Sequence, residues 1–450
     1  MTNSHYNLEL FGFSTCLLGY VVSIRAIMRL ASPALVSGGL DSVQIGEFSL
    51  TNFRNYRRFE TKLPSGPVIL VGRNAQGKTS LLEAIYYLAA ANSPHAGSDR
   101  QLINWLALRE EEHPFLKIVA EVLLSDEKRK VDVRLELQTA GLEREQRVKK
   151  TVLINGIKRQ VKDLHGAVNL VMFLPRDMML VEGSPGDRRR FLDATISQID
   201  SDYAAAVREY GKVLTQRNAL LKNLRARKGV DSQIAYWDEV LCEQGAKIIT
   251  RRARALKENE QYAGDVQKYL TEEREYLQLV YCPSYGPGEQ LELGLGVRSN
   301  YVDNPESELA AGMRSKLRDT LSDDVRRGMT LVGPHRDDFR FVLTGVDLGQ
   351  FGSRGQARTA VLALKLAEMS WMRDRIGEWP LLLLDEVLAE LDPQRRQELL
   401  RRISEVDQVL LTTADIDMVD AKFREQASVW RIDAGTVHPE TPMQTDGFLV

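Results

Sequence analysis

The sequence predicts an α/β fold: a head built on buried parallel strands, split in the sequence by an inserted arm of long helices. Three observations predict it. Pro67 to Val71 (PVILV) is a short continuous apolar run, the pattern of a strand buried on both faces, and a glycine-flanked loop and a helical stretch from Leu81 to Ala91 follow it. Leu381 to Leu384 repeats the buried-strand pattern towards the other end of the chain. Between them Ile199, Tyr203, Ala206, Tyr210, Val213, Arg217, Leu220 and Leu224 alternate gaps of four and three, a heptad seam about four repeats long.

Composition bounds the reading. A chain of 450 residues has room for two or three domains, each with its own core. An apolar fraction of 43% and a charged fraction of 27% exclude a disordered or collagen-like chain. Sixty basic and 62 acidic residues leave a net charge of −2, so attraction to nucleic acid has to come from a local patch. Three cysteines without CxxC spacing exclude a disulfide scaffold and a thiolate zinc site, and suit a reducing cytoplasm. The expected divisions are an extension over 1–40, the first part of the head over 41–180, the arm over 181–310 and the second part of the head over 311–450.

In chain order, Leu10 to Ile24 is uncharged but at about fifteen residues falls short of the roughly twenty a membrane helix needs. Met1 to Glu9 lacks the Lys or Arg of a signal peptide. The extension therefore reads as poorly ordered chain or an early start, with Met28 as a later one. The apolar spacing from Val43 to Phe59 suggests strands at the edge of a sheet. Ile118 to Leu124 and Val131 to Leu137 alternate as a hairpin with one wet face, and Asn155-Gly156 marks another hairpin turn after Val152 and Ile154. Lys228-Gly229 breaks the heptad seam, and Asp231 or Ser232 can cap the next helix. Two antiparallel helices of about thirty residues, roughly 45 Å long, follow from this pattern. Beyond Glu272 the pattern is irregular through Cys282-Pro283 and Pro287-Gly288, and sheet signals return at Phe339 to Leu343.

The chemistry is carried by Gly72-Arg73-Asn74-Ala75-Gln76-Gly77-Lys78-Thr79, which fits G-x-x-x-x-G-K-[ST]. Its glycines let backbone N–H groups curl around phosphate oxygens, Lys78 reaches the β- and γ-phosphates of ATP, and the Thr79 hydroxyl can ligate Mg2+. Such a P-loop also needs a carboxylate for the metal. Asp385, at the end of the second apolar run, supplies it, and Glu386 beside it can polarise the attacking water. The plainer reading of that pair is an acidic turn after a core strand. Ser353-Arg354-Gly355-Gln356 opens a helical stretch 32 residues before Asp385 and resembles the signature motif of ABC-type ATPases. A serine and backbone N–H groups at a helix start make a phosphate cradle, or simply a helix cap. Asp392 in Glu390-Leu391-Asp392 resembles the D-loop of the same ATPases and equally starts a helix.

Taken together these segments resemble the RecF family, bacterial recombination and repair ATPases of the ABC and SMC-like group. Further similar stretches are Leu50 to Tyr56, Leu81 to Ile85, Glu182 to Pro185 with Arg188 to Asp193, Gln216 to Asn218, and Gly333 to Asp338. They run in family order from about residue 43 to 435. The resemblance implies an ABC-type P-loop ATPase head split in sequence, in which ATP is sandwiched between two subunits. Lys78 and Thr79 of one would face Ser353, Gly355 and Gln356, with Asp392, of the other. It also implies ATP-dependent dimerisation on DNA at single-strand to double-strand junctions, slow ATP hydrolysis, and work with RecR, and through it with RecO and RecA, away from any membrane. No glutamine stands near Phe173-Leu174-Pro175-Arg176-Asp177, where ABC families place one, and Leu411-Thr412-Thr413-Ala414 replaces a switch histidine. His335 reads either as a structural hydrogen-bonding group or as a catalytic one.

Two other assignments compete. A transporter ATPase subunit places signature and P-loop about a hundred residues apart, whereas Gly72 and Ser353 are 281 apart and the helical arm fills the gap. A chromosome-structural protein needs coiled coils far longer than this seam. Arg188, Arg189 and Arg190, and Arg225, Arg227 and Lys228, are charge runs that are either solvated helix faces or sequence-independent contacts to DNA phosphates. A further run, Arg251, Arg252 and Arg254, reads the same way.

Overall fold

The computed structural model describes residues 42–140, 145–227, 233–285 and 304–440. The 1–40 extension with its apolar run and Met28, Lys228-Gly229, Asp231, Ser232 and Pro287-Gly288 lie outside them. The described residues belong to one compact unit.

The chain opens with a hairpin, β1 (Gln44–Phe53) and β2 (Tyr56–Lys62), then β3 (Gly66–Val71), the loop from Gly72 and α1 (Lys78–Ala90). After α2 (Trp105–Glu110) come β4 (Phe115–Leu123), β5 (Lys128–Ala140), β6 (Glu145–Ile154), β7 (Ile157–Arg159) and β8 (Leu170–Phe173). Asn155-Gly156, both with positive φ, make the β6–β7 turn. The antiparallel sheet runs β2-β1-β4-β5-β6-β7. Only β2 is its edge on this side. β1 was expected at an edge, but it hydrogen-bonds β2 on one side and β4 on the other, which satisfies its backbone twice and buries Ile45, Phe48, Leu50 and Phe53.

The arm follows as α3 (Pro185–Ile199), α4 (Ser201–Arg227) and α5 (Ile234–Leu270), then β9 (Leu277–Cys282) and α6 (Glu306–Arg327). α4 and α5 have 27 and 37 residues. Arg217, a seam position in the heptad pattern, is wholly buried: it donates to Asp238 at 2.6 Å and to Asp324 at 2.7 Å, joining all three helices. The stretch that read as irregular beyond Glu272 contains β9, because Leu277 and Leu279 face the core and the strand pairs antiparallel with β10 (Asp338–Leu343). β11 (Val346–Asp347) completes that small sheet.

The second part of the head adds α7 (Arg354–Ile376), β12 (Leu381–Asp385), α8 (Pro393–Ile403), β13 (Gln408–Thr413), β14 (Ser428–Asp433) and β15 (Thr436–Glu440). Its sheet is ordered β15-β14-β3-β13-β12-β8, parallel throughout except β15. β3, from before the arm, therefore lies between strands from after it. Val68 and Leu70 pack to one side of this sheet and Ile69 and Val71 to the other, with Leu381 and Leu383 set against Leu382 and Leu384 in the same way. That is why both strands read as unbroken apolar runs. No helix among the described residues is long and apolar enough to cross a membrane.

Candidate nucleotide-binding site

β3 delivers the glycine loop to the carboxyl edge of the parallel sheet, where open α/β sheets bind ligands. Two glycines there are required by space. Gly77 has φ 117°, and a Cβ on it would lie 2.6 Å from Asn55 Nδ2; a Cβ on Gly72 would lie 2.4 Å from the Ile432 carbonyl oxygen. The loop is braced from outside itself. Asn55 Nδ2 and the Gly435 N–H both donate to the Gln76 carbonyl at 2.9 Å, the Ala434 N–H donates to Gln76 Oε1 at 2.7 Å, and Tyr56 donates to the Gly77 carbonyl at 3.0 Å. These braces were not singled out from the sequence; Asn55 and Tyr56 carried a signal only as part of the stretch from Leu50.

β12 and β3 do not touch; β13 lies between them, with Thr412 opposite both Asp385 and Leu70. This brings the carboxylate to the loop. Thr79 Oγ1 donates to Asp385 Oδ1 at 2.8 Å, and the buried Thr412 hydroxyl donates to the same oxygen at 2.8 Å. Thr412 Oγ1 in turn accepts the Glu386 N–H at 2.9 Å. Glu386 has φ 52°, a left-handed conformation that is costly for a residue with a side chain and is over-represented at functional sites. Its carboxylate accepts from the Ala414 N–H at 3.3 Å and sits 3.0 Å from Lys78 Nζ. Lys78, only 4% exposed, also donates to the carbonyls of Gly72 at 2.6 Å and Arg73 at 3.0 Å. Thus the stretch without a switch histidine instead supplies Thr412 and the Ala414 N–H to the two carboxylates, a role the sequence reading missed.

Asn74, Ala75, Gly77, Lys78, Thr79 and Glu386 line a cavity of about 790 Å³. Arg73 is exposed on the loop, Gln76 faces the braces, and Asp385 is buried beneath Thr79. Ser353, Gly355, Gln356 and Asp392 do not line it. Ser353 N-caps α7 in a reciprocal capping box with Gln356, whose side-chain amide also donates to Glu275 at 2.9 Å. Asp392 caps α8, accepting the Arg395 N–H at 3.0 Å, and that cap and the Arg395 charge hold its carboxyl below the ordinary range against partial burial. His335 is far from this chemistry in role: Nδ1 meets the Tyr210 hydroxyl at 2.6 Å, Nε2 meets the Thr330 carbonyl at 3.0 Å, and burial pushes its pKa down to about 4. Those contacts are structural.

The arginines of the charge runs differ in their surroundings. Arg188 grips Asp338 with two hydrogen bonds at 2.6 and 2.9 Å and the carbonyls of Leu180 and Gly183, and Arg189 donates to the Asp337 carbonyl at 2.6 Å. These contacts tie α3 to the start of β10 and leave both side chains partly buried. Arg190, which pairs with Asp187, and Arg225 are exposed; the Arg227 side chain and Lys228 lie outside the described residues. Arg252 is buried against Asp193 and the Pro334 carbonyl, Arg251 pairs with Asp200, and Arg254 is exposed.

Comparison with known proteins places this geometry. The RecF/RecN/SMC N-terminal domain model matches residues 44–437. The chain is 40% identical over 399 residues to the DNA replication and repair protein RecF of Chloroflexus aurantiacus, covering 86% of this chain and 97% of that protein. It is 35% identical over 395 residues to the RecF of Bacillus velezensis, covering 87% and 99%. Among solved structures, the recombination mediator protein RecF with ATPrS and with ATP, in the RecFOR pathway, each superimpose with a TM-score of 0.76 at 28% identity over 90% of this chain, and cover 100% and 99% of those chains. With an ABC-type α/β head split by a helical arm, the chain belongs to the RecF family of DNA replication and repair proteins.

Proposed function

We propose that this chain is a slow, DNA-dependent ATPase that dimerises around ATP and uses the nucleotide as a switch for holding DNA. The observation that carries this reading is a half-built site: Lys78, Thr79, Asp385 and Glu386 converge, whereas Ser353, Gly355, Gln356 and Asp392 lie outside the cavity. A second copy is needed to bring a signature to the phosphates. Phe351, two residues before Ser353, is 75% exposed, the kind of apolar surface that a dimer interface covers.

Phosphates would lie on the backbone N–H groups from Asn74 to Thr79, with Lys78 exchanging its contacts to Gly72, Arg73 and Glu386 for phosphate oxygens. Thr79 and Asp385 offer two hard oxygens 2.8 Å apart, which fits Mg2+; no group of three or more potential His, Cys, Asp or Glu ligands occurs among the described residues, so phosphate and water must complete the shell. Bound there, Mg2+ neutralises charge on the phosphates. Glu386, held by Ala414 and by its own backbone bond to Thr412, orients the attacking water and takes its proton.

Like its relatives in the RecFOR pathway, the chain would act at single-strand to double-strand junctions with RecR, and through it with RecO in RecA loading. Of the two charge runs, the exposed Arg190 and Arg225 are the most accessible to DNA phosphates, with Arg227 and Lys228 continuing the second run. The test is sedimentation and DNA binding with and without ATP. ATP should drive dimerisation and strengthen a steeply salt-dependent affinity for DNA, and Phe351→Asp should abolish both while leaving nucleotide binding by the monomer intact. Equal dimerisation and DNA affinity with and without ATP would overturn the reading.

A further inference from the structure

The start of the signature helix is held from behind by the turn that leaves the arm. Ser353 and Gly355 are exposed at the start of α7, and Gln356 is half-buried. Gln356 closes its capping box in both directions: the Ser353 N–H donates to Gln356 Oε1 at 3.0 Å, and the Gln356 N–H donates to Ser353 Oγ at 3.2 Å. Gln356 Nε2 donates to Glu275 Oε1 at 2.9 Å. The other Glu275 oxygen accepts, also at 2.9 Å, from Nε2 of Gln267, a wholly buried residue of α5. An ionised carboxylate only accepts, so Glu275 decides which way the Gln356 amide points. The NH2 faces Glu275, and the amide oxygen is left for the Ser353 N–H.

Glu275 is itself fixed on both sides. After α5 ends at Leu270, Glu272 (φ 51°) and Glu273 (φ 61°) take the left-handed conformation for which a helix end ordinarily uses glycine. The Glu273 N–H donates to the Lys268 carbonyl at 2.7 Å and closes that turn. On the far side, the Tyr276 N–H donates to the Thr344 hydroxyl at 3.2 Å and the Thr344 N–H to the Tyr276 carbonyl at 2.8 Å. Two successive residues with side chains in the left-handed region are strained, and such strain collects where position serves function. A cavity of about 230 Å³ opens beside Glu275, lined also by Gln356, Thr359, Gln394 and Arg395. Glu275 therefore holds the signature by hydrogen bonds and not as part of a close-packed core.

Resting on the reading that the signature serves the nucleotide of a second subunit, we propose that Glu275 is a positioning residue for ATP hydrolysis. Through Gln356 it sets the Ser353 hydroxyl and the α7 N-terminus that meet the γ-phosphate across the dimer. Glu275 touches no nucleotide, and it ties the end of α5 to the signature of its own subunit.

The experiment measures turnover and monomer ATP affinity of wild type, Glu275→Ala and Glu275→Gln. Each variant is then mixed with Lys78→Met protein, with mixed dimers demonstrated by mass. A misplacement of about 1 Å can cost about a hundredfold, so Glu275→Ala should lose about ten- to a hundredfold in turnover. Glu275→Gln keeps the shape with one acceptor oxygen and should lose less; being isosteric, it carries the same test if the alanine variant misfolds. Monomer ATP affinity should be unchanged, because Glu275 does not line the cavity over the glycine loop. In a mixed dimer both lesions fall in one site, so turnover should return to that of one intact site. Wild-type turnover in both variants, or weaker ATP binding by their monomers, would overturn the inference. So would a mixture that stays inactive while Ser353→Arg mixed with Lys78→Met recovers, since Glu275 would then act on its own subunit's loop. Failure of that second mixture as well would overturn the shared site, and the inference with it.

Discussion

Glu386→Gln separates the two roles proposed for one carboxylate. Glu386 Oε1 lies 3.0 Å from Lys78 Nζ, with the lysine 4% and the glutamate 28% exposed. This pair competes with phosphate for the lysine. Discounted for the solvent that reaches Glu386, its charge component is worth about 1 kcal/mol. Gln keeps the shape and an acceptor oxygen but removes the charge, so Lys78 is released more cheaply and ATP should bind about fivefold tighter. The same change removes the proposed general base, and hydrolysis should fall by about a hundred- to ten-thousandfold. Equilibrium titration with a fluorescent ATP analogue and a phosphate-release assay read the two effects separately. Wild-type turnover would refute the catalytic role of Glu386, and weaker ATP binding would refute the competition with Lys78.

Other expectations follow from single contacts. Thr412→Val removes the hydroxyl that donates to Asp385 and leaves the Glu386 N–H unpaired, which should cost about 2–4 kcal/mol in denaturant unfolding and suppress hydrolysis. Gly77→Ala forces a side chain into φ 117° with its Cβ 2.6 Å from Asn55 Nδ2, so the loop should distort and nucleotide binding fail by calorimetry while the far-ultraviolet spectrum stays unchanged. His335 has a folded pKa of about 4, below its ordinary value of 6.5, so the unfolded chain binds its proton first. Its contribution is full above pH 6.5 and is lost as pH falls towards 4, by up to about 3 kcal/mol; unfolding measured across that window should show this slope, and His335→Gln should flatten it.

What the sequence made legible was what it encodes locally. The glycine loop and the Asp385-Glu386 pair are contiguous motifs on apolar runs, so their types and positions could be read directly. Thr412 could not, because its place beside Asp385 depends on β13 inserting between β3 and β12, a matter of strand order. The same holds for Asn55 and the Ala434-Gly435 turn, which reach the loop from distant parts of the chain. The partners of the charge runs were hidden for a related reason. Arg188 looks solvent-facing in sequence, but its partner Asp338 is 150 residues away. Arg217 fitted a hydrophobic seam by spacing, and only the fold reveals the two aspartates that allow a buried guanidinium there. The β9 strand was obscured by the proline and glycine that follow it, although its alternating Leu277 and Leu279 carried a weak signal.

The central claim is that each ATP site is completed by the partner's signature, and mixed dimers test it most directly. Lys78→Met disables the glycine loop and Ser353→Arg disables the signature, so each variant alone should be inactive. In a mixed dimer both lesions fall in one site, and the other site pairs an intact loop with an intact signature. Combining the two proteins, with mixed dimers demonstrated by mass, should restore ATPase activity to that of one competent site per dimer. No recovery in demonstrated mixed dimers, or full activity of Ser353→Arg as an isolated monomer, would contradict completion of the site by a second subunit.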